Sequence, residues 1–514
     1  MLSALILVPL IGAAIVAFFP GAIALQNLRK IALGCASITF MITVVLALRF
    51  HPGELSQQFS EFVPWITVIG LNYHLGVDGL SLPLLVLNGL LTLIAVYSSE
   101  ESVQRPRLYY SLILILSGAV AGAFLAQDLL LFFLFYEVEL IPLYLLIAIW
   151  GGQRRGYAAT KFLIYTAVSG ILLLASFLGL VWLSGASSFT LASLDTTSLP
   201  LATQLVLLGA LLLAFGIKIP LVPLHTWLPD AHVEASTPIS VLLAGVLLKL
   251  GTYGLLRFGM GLLPQAWEVF APWLATWAVV SVLYGASCAI AQTDMKKMVA
   301  YSSIGHMGYI LLAAAAATPL SILATVLQMV SHGLISGLLF LLVGIVYKKT
   351  GSRNIEVLRG LLNPERGLPL IGSLMILGVM ASAGIPGMVG FIAEFLVFRG
   401  SFLVFPVQTL LCMVGTGLTA VYFLLLTNRA FFGRLSPEVE NLPRVSFADR
   451  LPAFVLAALI IIFGVQPNWL VRWSESTTTA MSAVPVVAQR AQFAYGNNPV
   501  KAISPLNPPL HQTN

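Results

Sequence analysis

Five charged side chains lie in or beside long apolar stretches of this chain, where charges are rare. Lys218 and Lys249 fall inside apolar segments, Lys161 lies near the mouth of another, and Glu137 and Glu394 are the acidic counterparts. A charge at the centre of a bilayer costs at least roughly 2.5–3.5 kcal/mol, so by default it belongs to an ion or proton path. These residue types indicate acid–base chemistry along a route through a membrane.

Lys218 and Glu137 are the first candidate pair. Lys218 ends an apolar run at Lys-Ile-Pro-Leu-Val-Pro, and Glu137 lies in Phe-Tyr-Glu-Val-Glu-Leu-Ile-Pro. A lysine at wet, irregular backbone releases and rebinds protons readily, so moving a carboxylate toward or away from it acts as a proton switch. A static ion pair between helices is the alternative. Glu139 is expected to face elsewhere, and a structural role and a path role stay equally open for it.

A second set of residues is predicted to continue the path. Lys249 lies mid-span in Leu-Leu-Lys-Leu-Gly, and Glu394 follows a second helix break in Gly-Phe-Ile-Ala-Glu-Phe. His306 and His332 occupy consecutive spans among small and hydroxylated residues, and histidine relays protons near neutral pH. We expect the two histidines to connect Lys249 with Glu394, the last site before release; core histidines are the alternative. Lys161 is expected to extend its charge to the surface.

No metal or cofactor is predicted to bind this chain. The segment 225–232, His-Thr-Trp-Leu-Pro-Asp-Ala-His, resembles a metal cluster together with Glu234, but its prolines favour a hydrogen-bonded hairpin near the membrane surface. Neither a CxxC pair nor a glycine-rich dinucleotide fingerprint occurs, so iron–sulfur and nicotinamide sites are expected only in partner subunits.

The composition of the chain indicates the environment and the fold in which these residues lie. Hydrophobic residues make up 59% of the 514 residues and charged residues 9%, against about 25% charged in soluble domains, so the solvent is lipid. The predicted fold class is an all-α polytopic membrane protein with about 14 transmembrane helices, two inverted five-helix repeats and two discontinuous helices. Spans are predicted near 2–19, 31–49, 80–97, 108–125, 128–148, 158–183, 203–219, 237–258, 270–292, 297–316, 319–347, 367–399, 406–428 and 451–468.

The basic residues are distributed asymmetrically between the predicted loops. Seventeen of the 26 Lys and Arg fall in loops on one face and three in loops on the other. This asymmetry is typical of cytoplasmic and non-cytoplasmic loops, and it predicts that both termini are non-cytoplasmic. The net charge of +6 therefore follows membrane topology and does not indicate a nucleic-acid partner.

Prolines interrupt two spans at related positions. Pro220 and Pro223 break the seventh span and Pro386 breaks the twelfth, and paired breaks of this kind indicate an ion site in transporters. Lys218 and Glu394 are 176 residues apart, about five spans, which is the spacing that an inverted repeat gives. The predicted domains are 1–107 (the first three helices), 108–259 (first repeat), 260–432 (second repeat) and 433–514 (last helix and tail).

Three motifs carry a family resemblance. The run from Lys218 to His232, the segment Leu-Leu-Lys249-Leu-Gly-Thr-Tyr-Gly, and the run from Met298 through His306 resemble the antiporter-like membrane subunits of respiratory complex I, over about residues 70–430. Glu394 and the 135–142 motif are similar to chain 4 of the cyanobacterial and chloroplast NAD(P)H–plastoquinone oxidoreductases.

The resemblance implies fourteen helices, two inverted five-helix bundles and proton translocation in a thylakoid membrane, with both termini lumenal. Ferredoxin or NAD(P)H would reduce plastoquinone through iron–sulfur clusters in partner subunits. The short N-terminus and Phe-Gly-Ile-Lys-Ile-Pro resemble the CO2-uptake form, which implies CO2-uptake subunits as partners. By carry-over the roles are Glu137 and Lys218 as the switching pair, Lys249 as central relay, His306 and His332 as the bridge, and Glu394 as the terminal site.

Two other functions remain open at this stage. A subunit of a multicomponent sodium–proton antiporter would share the fold and the motifs around Lys218 and Lys249, and sodium dependence would distinguish it. A passive scaffold would leave the buried charges unexplained, and neutralising them would not affect transport.

Overall fold

A computed structural model describes residues 1–18, 25–100, 102–365, 367–437, 442 and 445–482. Within these ranges, eleven helices are long and apolar enough to cross a membrane, and three more apolar helices are shorter. The prediction of a helical, polytopic membrane protein is confirmed. The tail beyond residue 482 lies outside the described residues. So do four of the 26 basic residues counted above, namely Arg366, Arg444, Arg490 and Lys501.

The helices are labelled in chain order. The first half contains α1 (Leu2–Phe18), α2 (Leu25–Arg49), α3 (Leu82–Ser98), α4 (Pro106–Leu125), α5 (Leu129–Val138), α6 (Leu140–Trp150), α7 (Arg155–Leu183), α8 (Leu201–Lys218), α9 (Trp227–Glu234), α10 (Thr237–Leu242) and α11 (Leu248–Gly254). The second half contains α12 (Pro264–Ile290), α13 (Met295–Ala316), α14 (Pro319–Thr350), α15 (Pro369–Ser382), α16 (Val389–Phe402), α17 (Pro406–Ala430), α18 (Phe447–Val465) and α19 (Asn468–Ser482). Short 3-10 turns lie between α2 and α3, at Thr67–Ile69, and between α7 and α8, at Leu191–Ser193.

A β-hairpin between α2 and α3 corrects the strictly all-α prediction. Strands β1 (Gln58–Ile66) and β2 (Leu71–Val77) pair antiparallel, with Phe62 opposite His74. Gly70 closes the turn at φ 74°, a backbone conformation that favours glycine. Sequence reasoning treated this stretch as a loop because it lacks the length of a span, although its aromatic and β-branched residues suit a strand.

Both predicted helix breaks are present. α8 ends at Lys218 and α9 begins at Trp227, while α15 ends at Ser382 and α16 begins at Val389. Proline frees carbonyls at such breaks, and inside a membrane these must find donors. The Trp227 indole N–H supplies one by donating to the Ile217 carbonyl at 2.9 Å. The broken backbone is therefore held by side chains from its own neighbourhood.

The structure shows two further irregularities, of which the one at Pro142 follows from the sequence. α5 ends at Val138 and α6 begins at Leu140, because Pro142 has no N–H to donate to the Val138 carbonyl. The span around Lys249 contains two π-helical turns, Leu243–Leu247 and Leu255–Met260. Such turns are frequent at functional sites, since they displace backbone groups from the regular ladder.

The last predicted span is followed by another helix, so 433–514 is more than a span and a tail. α19 packs against α14 and α3. The Gly79 N–H donates to Thr477 Oγ1 at 3.0 Å, and a Cβ on Gly79 would lie 2.2 Å from the Trp473 carbonyl oxygen. This close approach fixes α19 at the start of α3.

Contacts between loops define two ends of the helical bundle. At one, the basic end, the Arg154 N–H donates to Glu234 Oε2 at 2.9 Å and Lys296 Nζ donates to the Ala235 carbonyl at 2.5 Å. At the other, the hairpin end, the Met1 amino group pairs with Glu61 at 2.5 Å. These groupings agree with the two faces predicted from the distribution of Lys and Arg.

Candidate functional site

Lys218 forms a buried ion pair with Glu139. Lys218 Nζ donates to Glu139 Oε1, and the two side chains are 2% and 0% exposed. Nζ also lies 4.7 Å from the centroid of the Tyr136 ring, a cation–π contact. Gly251 of α11 permits the close approach, since a Cβ there would lie 3.1 Å from Lys218 Cβ. The charge of Lys218 is thus held at the end of α8 by Tyr136 of α5 and by Glu139 between α5 and α6.

The predicted direct pairing of Lys218 with Glu137 is wrong. Glu139 occupies that position: it has a helical backbone conformation at the junction of α5 and α6, within the same apolar span as Glu137, and its carboxylate meets the end of α8. The Glu137 carboxylate lies instead against α7, where a Cβ on Gly170 would be 2.1 Å from Glu137 Oε1. That oxygen accepts no hydrogen bond from the described residues, and the charge of Lys218 still acts on it through space.

Lys249 contacts one of the predicted histidines directly. Its Nζ lies 2.7 Å from His332 Nδ1 and donates to the Ala244 carbonyl at 2.6 Å. The side chain is 0% exposed. Ala244 belongs to the π-helical turn, whose widened backbone presents this carbonyl to the lysine. A fully buried ammonium therefore has one fixed acceptor and one acceptor that can itself take a proton.

His332 and His306 are adjacent, and His306 reaches Glu394. The two imidazole centroids are 5.7 Å apart, and His306 Nδ1 lies 3.4 Å from Glu394 Oε1. The His306 Nε2 atom lies 2.9 Å from Ser382 Oγ at the end of α15. Both histidines and Glu394 line a cavity of about 10 Å³, the size of a single water molecule. The helix break between α15 and α16 thus places the hydroxyl and the acid on either side of His306.

Glu394 is also held from α17. Thr416 Oγ1 donates to Glu394 Oε2 at 3.1 Å and lies 3.1 Å from the Tyr309 hydroxyl. The two histidines therefore lie between Lys249 and Glu394, as expected, with His332 on the side of Lys249 and His306 on the side of Glu394. In the part of the chain that is described, the hydrogen-bond partners of Lys218 and Lys249 are different, so the two lysines occupy separate clusters.

The residues of the 225–232 segment have separate partners. Asp230 pairs with Lys161 at 2.8 Å, with side chains 22% and 21% exposed, so Lys161 lies near the surface as expected. His225 contacts the Tyr284 ring edge-on, whereas His232 stacks on Phe340 at 4.5 Å. Among the described residues no group of three or more His, Cys, Asp or Glu side chains is placed to hold a metal ion.

Several polar residues of the site were missed by sequence reasoning. Tyr136, Ser382 and Thr416 each contact a titratable member of the site, yet hydroxyls are too common in apolar spans to be singled out by type. His232 is fully buried, and neither ring nitrogen has a hydrogen-bond partner among the described residues. This histidine lies in the 225–232 segment, which sequence reasoning did not assign to the site.

Comparisons with known proteins agree on the type of chain. The family model described as NADH:quinone oxidoreductase/Mrp antiporter, TM, matches residues 126–419. NAD(P)H-quinone oxidoreductase chain 4 1 of Nostoc sp. is 41% identical over 505 residues, which cover 95% of this chain and 93% of the relative. NAD(P)H-quinone oxidoreductase chain 4 2 of Thermosynechococcus vestitus is 41% identical, covering 95% and 94%.

Solved structures share the fold. A chain of respiratory complex I from Thermus thermophilus with bound NADH superposes with a TM-score of 0.86 at 28% identity, covering 94% of this chain and 99% of that one. A chain of the Mrp complex from Dietzia sp. gives a TM-score of 0.84 at 21% identity, covering 94% and 98%. At that identity the second likeness concerns the fold alone.

Proposed function

Because the chain belongs to the NADH:quinone oxidoreductase/Mrp antiporter transmembrane family, we propose that it is a proton-translocating subunit of a complex I-like NAD(P)H– or ferredoxin–plastoquinone oxidoreductase. The observation that carries the proposal is the buried run Lys249–His332–His306–Glu394. Burying four titratable groups in one line is costly and gives no advantage to a scaffold, whereas a proton path requires it. The assignment to a redox complex comes from the relatives, which are named as chain 4 of NAD(P)H-quinone oxidoreductases.

Proton transfer along the run follows from its contacts. The Lys249 ammonium donates to His332 Nδ1 across 2.7 Å, and the imidazolium so formed releases the proton on Nε2 toward the shared cavity. His306 accepts there and passes a proton from Nδ1 to Glu394 Oε1. Each histidine gains a proton on one nitrogen and loses one from the other, so each imidazole returns to its starting charge in the other tautomer, and ring reorientation then restores the starting tautomer.

The Lys218–Glu139 pair is the proposed switch, with Glu137 as a second carboxylate in reach of the same lysine. Separating a buried ion pair leaves an uncompensated charge, which costs about 3–5 kcal/mol. Opening of the pair therefore raises the free energy of the charged Lys218 and favours release of its proton. The site roles of Glu137, Lys218, Lys249, His306, His332 and Glu394 are all parts of this proposal.

The proposal extends to finer features of the chain and its surroundings. Residues 108–259 and 260–432 form the two inverted repeats, supported by one broken helix in each. Plastoquinone and the iron–sulfur clusters belong to partner subunits, and this chain binds no redox group. Cyanobacterial relatives support a thylakoid location, and the distribution of Lys and Arg between the loops supports termini in the lumen. CO2-uptake subunits are proposed as further partners from the motif resemblance at Phe-Gly-Ile-Lys-Ile-Pro.

Proton uptake by inside-out vesicles during donor-driven quinone reduction tests the proposal. We expect Lys218→Met to lower protons taken up per electron while the complex stays assembled on a native gel. Unchanged uptake would favour a scaffold. Repeating the assay with and without sodium tests the antiporter alternative, because uptake that needs sodium but no electron donor would place the chain among sodium–proton antiporters.

A further inference from the structure

An apolar groove opens on the outer side of the helices that carry Glu394. It has a volume of about 780 Å³ and lies between the start of α14, the last turns of α16 and the first turns of α17. Its size falls in the range of small-molecule sites. Because the groove lies beside spans α14 and α17, at the hairpin end of the bundle, its mouth is near the boundary between hydrocarbon and water.

Two stripes of side chains form the walls. Phe395, Phe398 and Phe402 are spaced along one face of α16, and Leu410 and Met413 face them from α17. Phe395, Phe402, Leu410 and Met413 are each 44–52% exposed in this chain. The tight contact of α16 with α14 closes the floor, since a Cβ on Gly400 would lie 2.7 Å from the Ser321 nitrogen. The walls thus suit a flexible hydrocarbon chain.

A single basic residue lines the same groove. Arg399 lies in the last turn of α16 and is exposed. Within the described ranges, no acidic group forms a salt bridge with it. A guanidinium offers five donors in a planar fork, which matches phosphate or sulfonate oxygens, and arginine extends such a head to the membrane interface. A cation above an apolar groove is complementary to an anionic head with an acyl tail.

The groove also adjoins the proposed proton site. Phe398 contacts the Tyr309 ring edge-on at 5.6 Å, Tyr309 reaches Thr416, and Thr416 donates to Glu394. We propose that the groove binds a membrane lipid with an anionic headgroup, whose head lies on Arg399 and whose acyl chain covers Phe395, Phe398 and Met413. The bound lipid is the outer wall of the Glu394 site. This binding does not depend on the proposed pumping function.

Quantitative lipid analysis of the purified, intact complex tests the assignment. We expect Arg399→Gln to lose one equivalent of copurifying anionic lipid per complex, and Met413→Trp, which fills the groove and keeps the charge, to lose the same equivalent. Arg49→Gln is the matched control, because Arg49 is an exposed basic residue that ends α2 at the same end of the bundle. Equal lipid content in Arg399→Gln and wild type overturns the proposal.

A reconstitution experiment shows whether the groove takes an anionic lipid or free phosphate. Crosslinking shows whether a protein subunit occupies the groove instead. Delipidated wild-type complex is mixed with vesicles of phosphatidylglycerol, of a sulfolipid or of phosphatidylcholine, or with inorganic phosphate alone. We expect rebinding from the two anionic lipids and none from the other two. A photo-crosslinker at Met413 is expected to label lipid in the native membrane. Labelling of a protein chain there would show that a neighbouring subunit covers the groove and would overturn the proposal.

Discussion

Replacing Glu139 by Gln removes the carboxylate that holds Lys218, and the structure sets the size of the effect. Both side chains are nearly inaccessible, at 0% and 2% exposure, so water cannot take over the role of the lost carboxylate. Breaking a buried pair from one side costs about 3–5 kcal/mol. Glu137→Gln changes a half-buried group whose Oε1 has no hydrogen-bond partner among the described residues, and we expect it to cost under about 1 kcal/mol.

Heat-pulse proteolysis of the complex in lipid nanodiscs measures this difference through the fraction of the subunit that remains folded. Lys218→Met completes a double-mutant cycle. We expect the double variant with Glu139→Gln to be less destabilised than the sum of the single variants, by up to about 3 kcal/mol. Additive effects, or an equal cost for Glu137→Gln, would refute the assignment of Glu139 as the direct partner.

Two further predictions concern packing and pH. Gly390→Ala places a Cβ 1.9 Å from the Ala381 carbonyl oxygen, so native gels of this variant should show much less assembled complex. Gly417→Ala is the control, because nothing lies within 4 Å of its Cβ, and this variant should assemble normally. Burial raises the pKa of Asp78, but the charge and hydrogen bond of Arg257, together with the hydrogen bonds from Gln57 and the Ser81 backbone, lower it more, so the folded pKa lies below the ordinary 3.8. The stabilisation by Asp78 should therefore persist from pH 7 to about pH 5 and disappear as the pH falls below 3.8. The difference in thermal unfolding temperature between wild type and Asp78→Asn measures this stabilisation. A difference that is already lost at about pH 5 would contradict the predicted direction of the pKa shift.

The helix breaks could be predicted from the sequence because their cause is local. A proline removes a hydrogen bond wherever it stands in a span, so Pro220, Pro223 and Pro386 sufficed to place both discontinuities. That the two histidines connect Lys249 with Glu394 was also predictable, since buried titratable residues are few. These inferences needed only residue type and spacing.

The partner of Lys218 could not be predicted in the same way. Glu137 and Glu139 are two residues apart in one apolar span and face different neighbours, and which of them meets the end of α8 depends on how the helices pack. The hairpin and α19 were missed for another reason: neither is a span, and their stability comes from contacts with distant residues such as Gly79 with Thr477. A single sequence does not reveal such contacts.

Lys249→Arg tests the central claim most directly. Arginine keeps a positive charge beside His332 but does not release its proton in proteins, so the variant distinguishes a proton carrier from a fixed charge. The measurement is proton uptake per electron by vesicles that contain fully assembled complex. The account predicts that Lys249→Arg lowers this ratio as far as Lys249→Met does, whereas wild-type uptake by Lys249→Arg would contradict it.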